Sequence, residues 1–184
     1  MALRGHVIEN PLSGEQITIR RTAAETGGSI LEWELVLAPG GRVPSSHAHP
    51  GQEEAFTVLA GQMRFRVGGR RIIANPGDTV RVPPGTVHHF ANAGNRPARV
   101  FVQTSPALSM QELLETAAAL AQEQQAAGRR LPRPVELALF MRDFRREVRA
   151  PYLPAALVGA VLAPLARLAR WRGLDSRYRR LRRS

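Results

Sequence analysis

Cysteine is absent from the 184 residues, which excludes disulfide cross-links, thiolate metal sites, iron–sulfur clusters and a thiol nucleophile. Lysine is absent as well. All 26 basic residues are arginine, so no side-chain amine is present to form a Schiff base or act as a nucleophile. The N-terminal stretch lacks a basic flank, an apolar run and a small-residue cleavage site in that order, and a secretory signal is not expected. Histidine and carboxylate are left as the candidate metal donors.

Hydrophobic residues make up 43% and charged residues 22% of the chain, close to the globular average, which argues against a disordered or fibrous protein. The length suits one ordinary domain with an appendage. Charge is unevenly placed. Residues 1–128 hold 11 arginines against 11 acidic residues, whereas residues 129–184 hold 15 against 4, so the whole net charge of +11 lies in the last third.

Residues 1–106 read as short strands rich in Val, Ile, Phe and Thr: 16–22, 29–37, 55–59, 62–67, 71–74, 79–82, 87–91 and 98–104. Gly, Pro and Asn clusters separate them, as at Gly27-Gly28, Pro76-Gly77-Asp78 and Pro83-Pro84-Gly85. Leu31, Trp33, Leu35 and Leu37 alternate with polar residues, as do Met63, Phe65 and Val67. That pattern belongs to antiparallel sheets with one wet face, in a sandwich or barrel. Trp33, Phe56, Met63, Phe65 and Phe90 are the expected core.

From Ser109 the pattern changes to helix. Ser109 and Glu112 have the spacing of a capping box, and Gly128 closes a helix expected over 110–127. Further helices are expected over 135–149 and 155–172, the latter with an apolar stripe of Leu157, Val158, Val161, Leu162, Leu165, Leu168 and Ala169. No charge interrupts Pro151–Ala166, but 16 helical residues span roughly 24 Å, short of the ~30 Å hydrocarbon core of a bilayer. The second helix is expected to pack on the barrel or on another subunit. For 151–183, the alternatives are pairing with a second copy as a homodimer, lying peripherally on an anionic membrane surface, or forming a flexible end. Nucleic acid is disfavoured as a partner, because aromatics are few in the tail and no reading motif is present.

Three of the five histidines fall in one tight arrangement. His47 and His49 are two residues apart, so on a strand both imidazoles point to one side. Glu54 alternates with Phe56 and Val58, and Glu53 with Ala55 and Thr57; the bulkier set is expected to face inward, placing Glu54 inside and Glu53 outside. By the same parity His88, in register with Phe90 and Asn92, faces inward and His89 outward. Three neutral imidazoles and one carboxylate suit one divalent first-row ion: Fe, Mn, Ni, Co, Cu or Zn. Glu54 binds less firmly than the imidazoles and is the candidate catalytic base. His6 and His89 read as ordinary surface or core histidines, and Asn92 as a strand-end hydrogen bonder.

The segment Gly41, His47, His49, Glu54, Gly61 resembles the first cupin motif, G-x5-H-x-H-x4-E-x6-G. Gly77, Pro83, Gly85, His88 and Asn92 resemble the second, G-x5-P-x-G-x2-H-x3-N, with residues 62–76 between them. The resemblance implies a cupin jelly-roll β-barrel over 1–106, an all-β core followed by a helical, Arg-rich extension over 107–184. It also implies metal ligation by His47, His49, Glu54 and His88. The activity it implies is dioxygenase-type oxidation of a small enolic or aromatic molecule. Isomerase, cyclase or lyase chemistry and a non-catalytic, ligand-sensing cupin are the alternatives, since fold does not determine reaction.

Overall fold

The computed structural model describes residues 4–43, 45–129, 132–151, 155–173 and 175–182. Nine strands follow in chain order: β1 (Val7–Asn10), β2 (Glu15–Arg21), β3 (Leu31–Leu37), β4 (Glu53–Ala60), β5 (Met63–Val67), β6 (Arg70–Ala74), β7 (Thr79–Val82), β8 (His88–Asn92) and β9 (Ala98–Ser105). They form two antiparallel sheets, one in the order β1-β2-β3-β9-β4-β7 and one in the order β6-β5-β8. β1 is an addition to the strands expected from the sequence.

The alternation read from the sequence becomes the inside and outside of a jelly roll. Leu31, Trp33, Leu35 and Leu37 on β3 are at most 3% exposed, and Met63 and Phe65 on β5 are fully buried between exposed Arg64 and Arg66. The rings of Phe56, Phe65 and Phe90 meet at centroid separations of 5.3–6.1 Å. Each such aromatic contributes about 1.5–3 kcal/mol through burial. Arg42 and His47 form antiparallel bridges to Ala91 and His88 of β8; His47 and His88 exchange both backbone hydrogen bonds, and the Asn92 amide donates to the Gly41 carbonyl. Two motif glycines are required by close approach. A Cβ on Gly61 would lie 2.8 Å from the Ala98 Cα, and one on Gly41 would lie 2.8 Å from the Ala38 carbonyl oxygen.

Among the described residues four α-helices follow: α1 (Met110–Ala126), α2 (Pro134–Asp143), α3 (Ala155–Trp171) and α4 (Ser176–Leu181). α1 lies on β1, where Gln122 Nε2 donates to the Glu9 carbonyl, and it inserts Met110 and Leu113 into the barrel core. Leu139, Ala166 and Tyr178 form a smaller apolar cluster among α2, α3 and α4. Among the described residues no helix is long and apolar enough to cross a membrane.

Two expectations need correction. The Ser109 side chain makes no capping hydrogen bond; the Ser109 amide instead donates to Glu147 Oε1, and Glu112 turns away to pair with Arg182. The second helix stops at Asp143 rather than 149, and the chain returns to the barrel, where Arg149 pairs with Ala48. Hydrogen bonding with Ala48 has replaced the next helical turn. The side chains of Leu157, Val158, Val161 and Leu162 lie outside the described residues; in the rest of that stripe Ala169 is buried and Leu168 exposed.

Candidate metal centre

His47 and His49 project from the segment preceding β4, Glu54 from β4 itself, and His88 from the first position of β8. β4 belongs to the large sheet and β8 to the small one, so the cluster bridges the two layers at one end of the barrel. The three imidazoles stand with ring centroids 4.4, 5.0 and 5.3 Å apart, and one ligating nitrogen from each lies within 4.8 Å of the others. Glu54 Oε2 is 3.2 Å from His49 Nε2 and 3.2 Å from His88 Nε2. Donors about 2.1 Å from a shared ion stand about 3.0–3.4 Å apart, so these two spacings match a common centre.

The orientation of each ring follows from its other nitrogen. His47 Nδ1 meets the Ser45 carbonyl, His88 Nδ1 the Thr86 carbonyl and His49 Nδ1 the Glu147 carbonyl. A carbonyl only accepts, so each Nδ1 carries a proton, and in the neutral ring Nε2 keeps its lone pair. His49 Nε2 and His88 Nε2 are buried without a hydrogen-bond partner. Buried polar atoms seldom go unsatisfied, and a cation among these lone pairs would satisfy both. The three histidines therefore could hold a metal ion, and Glu54 stands within reach as a fourth donor.

The charges of the cluster act on one another at close range. Burial, reinforced by the like charges of His88 and His49, pushes His47 down to about 3, so its imidazole is neutral at physiological pH. Burial alone would raise Glu54, but the His49 and His88 partners outweigh it and hold the carboxyl well below its usual range. His49 shifts upward: burial opposes the charge, and Glu54 together with the Glu147 carbonyl overcomes it.

The inward and outward assignments agree with the structure. Glu54 is 3% exposed and His88 1%, while Glu53 lies outside, pairing with Arg81, and His89 is partly exposed. Asn92 donates to the Leu37, Ala38 and Arg96 carbonyls and accepts from the Gly94 amide, a turn-fastening role. Two residues of the site escaped the sequence reading. Thr104 donates its hydroxyl to Glu54 Oε1 and accepts from Trp33 Nε1. Its parity with Val100 and Val102 on β9 was the available signal. Glu147 was hidden inside the helix expected over 135–149.

Residues 33–104 match the family model for a cupin domain. Residues 33–104 therefore carry a cupin domain. The chain is 35% identical over 79 residues to the tetracenomycin polyketide synthase protein TcmJ of Streptomyces glaucescens, covering 43% of this chain and 52% of that one. It is 36% identical over 81 residues to quercetin 2,3-dioxygenase of Bacillus subtilis, covering 43% of this chain and 23% of that one. It therefore spans less than two thirds of these relatives. An RmlC-like cupin from Shewanella frigidimarina shares the fold, with a TM-score of 0.51 at 17% identity over 59% of this chain and 89% of that one.

Proposed function

We propose that His47, His49, Glu54 and His88 hold one divalent metal ion, and that this cupin uses it to oxidise a small organic metabolite bearing an enolic or aromatic oxygen. The observation that carries the reading is that each imidazole meets a backbone carbonyl through Nδ1, while His49 Nε2 and His88 Nε2 are buried with no hydrogen-bond partner. The likeness to a quercetin 2,3-dioxygenase supports the oxidative direction. When bound, a redox-active ion supplies Lewis acidity toward a substrate oxygen and a route for electrons to O2.

The protein's own groups divide the remaining tasks. His47, His49 and His88, each fastened through Nδ1 to a backbone carbonyl, offer Nε2 as the donor atom. The Thr104 hydroxyl engages Glu54 Oε1 and leaves Oε2 toward the histidines, the atom placed to take a substrate proton. Phe56, whose ring centroid is 6.3 Å from that of His88, and the other core aromatics keep water from the barrel side.

The test is O2 uptake by the full-length chain loaded in turn with Fe(II), Mn, Ni, Co, Cu and Zn, against flavonols, diketones and catechols. Metal-dependent uptake that is lost in Glu54→Ala and His88→Ala supports the proposal. Metal binding with substrate conversion but no O2 uptake would favour isomerase, cyclase or lyase chemistry, a direction compatible with the likeness to a polyketide synthase protein. Tight ligand binding without turnover would make this a sensing module.

A further inference from the structure

We infer that Glu147, carried by the strap that follows α2, is a positioning residue for His49, so that the metal centre is completed by the helical extension; this rests on the metal-binding reading above. The three imidazoles are anchored by different means. His47 and His88 each donate Nδ1–H to a carbonyl two residues earlier in their own segment. His49 donates to a carbonyl 98 residues away, that of Glu147. Two of the anchors are built into the motifs, and the third is supplied from outside the barrel strands.

The strap is held at several points. After Asp143 the chain turns, with the Glu147 and Val148 amides donating to the Phe144 carbonyl, while the Phe144 ring sits 1% exposed in the barrel core. Arg149 and Ala48 exchange both backbone hydrogen bonds, at 3.0 and 3.2 Å, placing the strap alongside the His-x-His segment. Arg149 Nη2 reaches the Gly85 carbonyl, and the Gly85 amide donates to the His49 carbonyl, which ties both motif segments to the strap.

Glu147 joins these contacts to α1. Its side chain is 4% exposed, and its Oε1 accepts from the Ser109 amide at the start of that helix, where a carboxylate also meets the positive end of the helix dipole. One residue thus uses its carboxylate to fasten the strap and its carbonyl to orient His49. Partners that orient a ligating histidine through its second nitrogen set metal affinity, and their loss costs roughly 10–100-fold.

The experiment titrates full-length wild type, Glu147→Ala, Glu147→Gln, His49→Ala and the His49→Ala/Glu147→Ala double variant with Co(II), reading the d–d bands. Zn(II) competition supplies a second affinity scale. The expected result is a roughly tenfold weakening in Glu147→Ala with altered bands, near-wild-type behaviour in Glu147→Gln, and no added loss when Glu147→Ala is combined with His49→Ala. Wild-type affinity in Glu147→Ala overturns the inference. So does an equal loss on the His49→Ala background, which marks a general structural effect.

Wild type that binds neither ion overturns the metal reading itself. Histidine 15N spectra of the wild-type apoprotein give an arm that needs no variant to fold: a proton on His49 Nδ1 is expected, and one on Nε2 alone sinks the positioning role.

Discussion

In the two sheets, charges are balanced and dispersed, and the core does the holding. Glu34 sits between Arg20 and Arg99 on the outer surface, Glu53 meets Arg81, and beneath them Leu35, Phe56, Phe65 and Val100 are fully buried. In α2, α3 and α4 the proportions reverse. Among the described residues the apolar cluster there has three buried members, and acidic residues are shared among arginines: Asp143 takes both Arg170 and Arg182, Arg182 also takes Glu112, and Asp175 takes Arg179. Partly exposed ion pairs contribute about 0–1 kcal/mol each, far less than a buried aromatic, so the outer helices are expected to open well before the barrel. The strap belongs energetically with the barrel although it lies between helices in sequence.

Cavity-forming substitutions probe that border most strongly. Phe56→Ala in the barrel and Phe144→Ala in the strap should each cost about 3–5 kcal/mol in chemical denaturation. A cost below about 1 kcal/mol for Phe144→Ala would return the strap to the outer helices. At the proposed metal centre, His88→Ala should lower Co(II) affinity by at least roughly 100-fold, beyond the range of a group that merely orients a ligand, while Glu53→Ala leaves it unchanged. Equal effects in isothermal titration would overturn the inward and outward assignment.

The barrel also has an ionisable group that makes its stability depend on pH. Burial raises Glu15 from 4.5 to about 7 despite the opposing Ser13 hydrogen bond. The folded state therefore holds this proton where the unfolded state has released it, and stability falls as pH rises from about 4.5 to about 7, by at most about 3 kcal/mol. Glu15→Gln should flatten that slope in pH-dependent unfolding, and an unchanged slope assigns it to other groups.

Smaller effects belong to the outer helices. Asp143→Asn should cost about 1 kcal/mol, seen as faster amide exchange in α3 and α4 with β3 and β9 unaffected, and high salt should reproduce it in the unmodified chain. Leu168→Ala, at a 42% exposed position, should change stability by less than about 0.5 kcal/mol. A loss larger than that of Asp143→Asn would point to an apolar partner on α3.

Much of the site was legible because its constraints are local. Side-chain parity along a strand distinguishes Glu54 from Glu53 and His88 from His89 without reference to any other segment, and Gly41 and Gly61 mark turns that exclude a Cβ. The strap was not legible for the same reason. Phe140, Phe144 and Val148 repeat at helical spacing, so residues 135–149 read as one helix, and nothing local discloses that Ala48 competes for the Arg149 backbone. β1 was missed because four residues at a sheet edge carry too short an alternation to register.

The order of residues alone determined the β-rich class, the faces of the strands and the chemical types of the four candidate donors, since alternation and spacing act over a few positions. Tertiary structure decided what had to cross the chain: the meeting of residues 47–54 with His88, the hydroxyl of Thr104 on Glu54, and the carbonyl of Glu147 on His49. Those contacts depend on how two sheets and a returning strap share one core, and that packing is a sum over distant neighbours that no local pattern encodes.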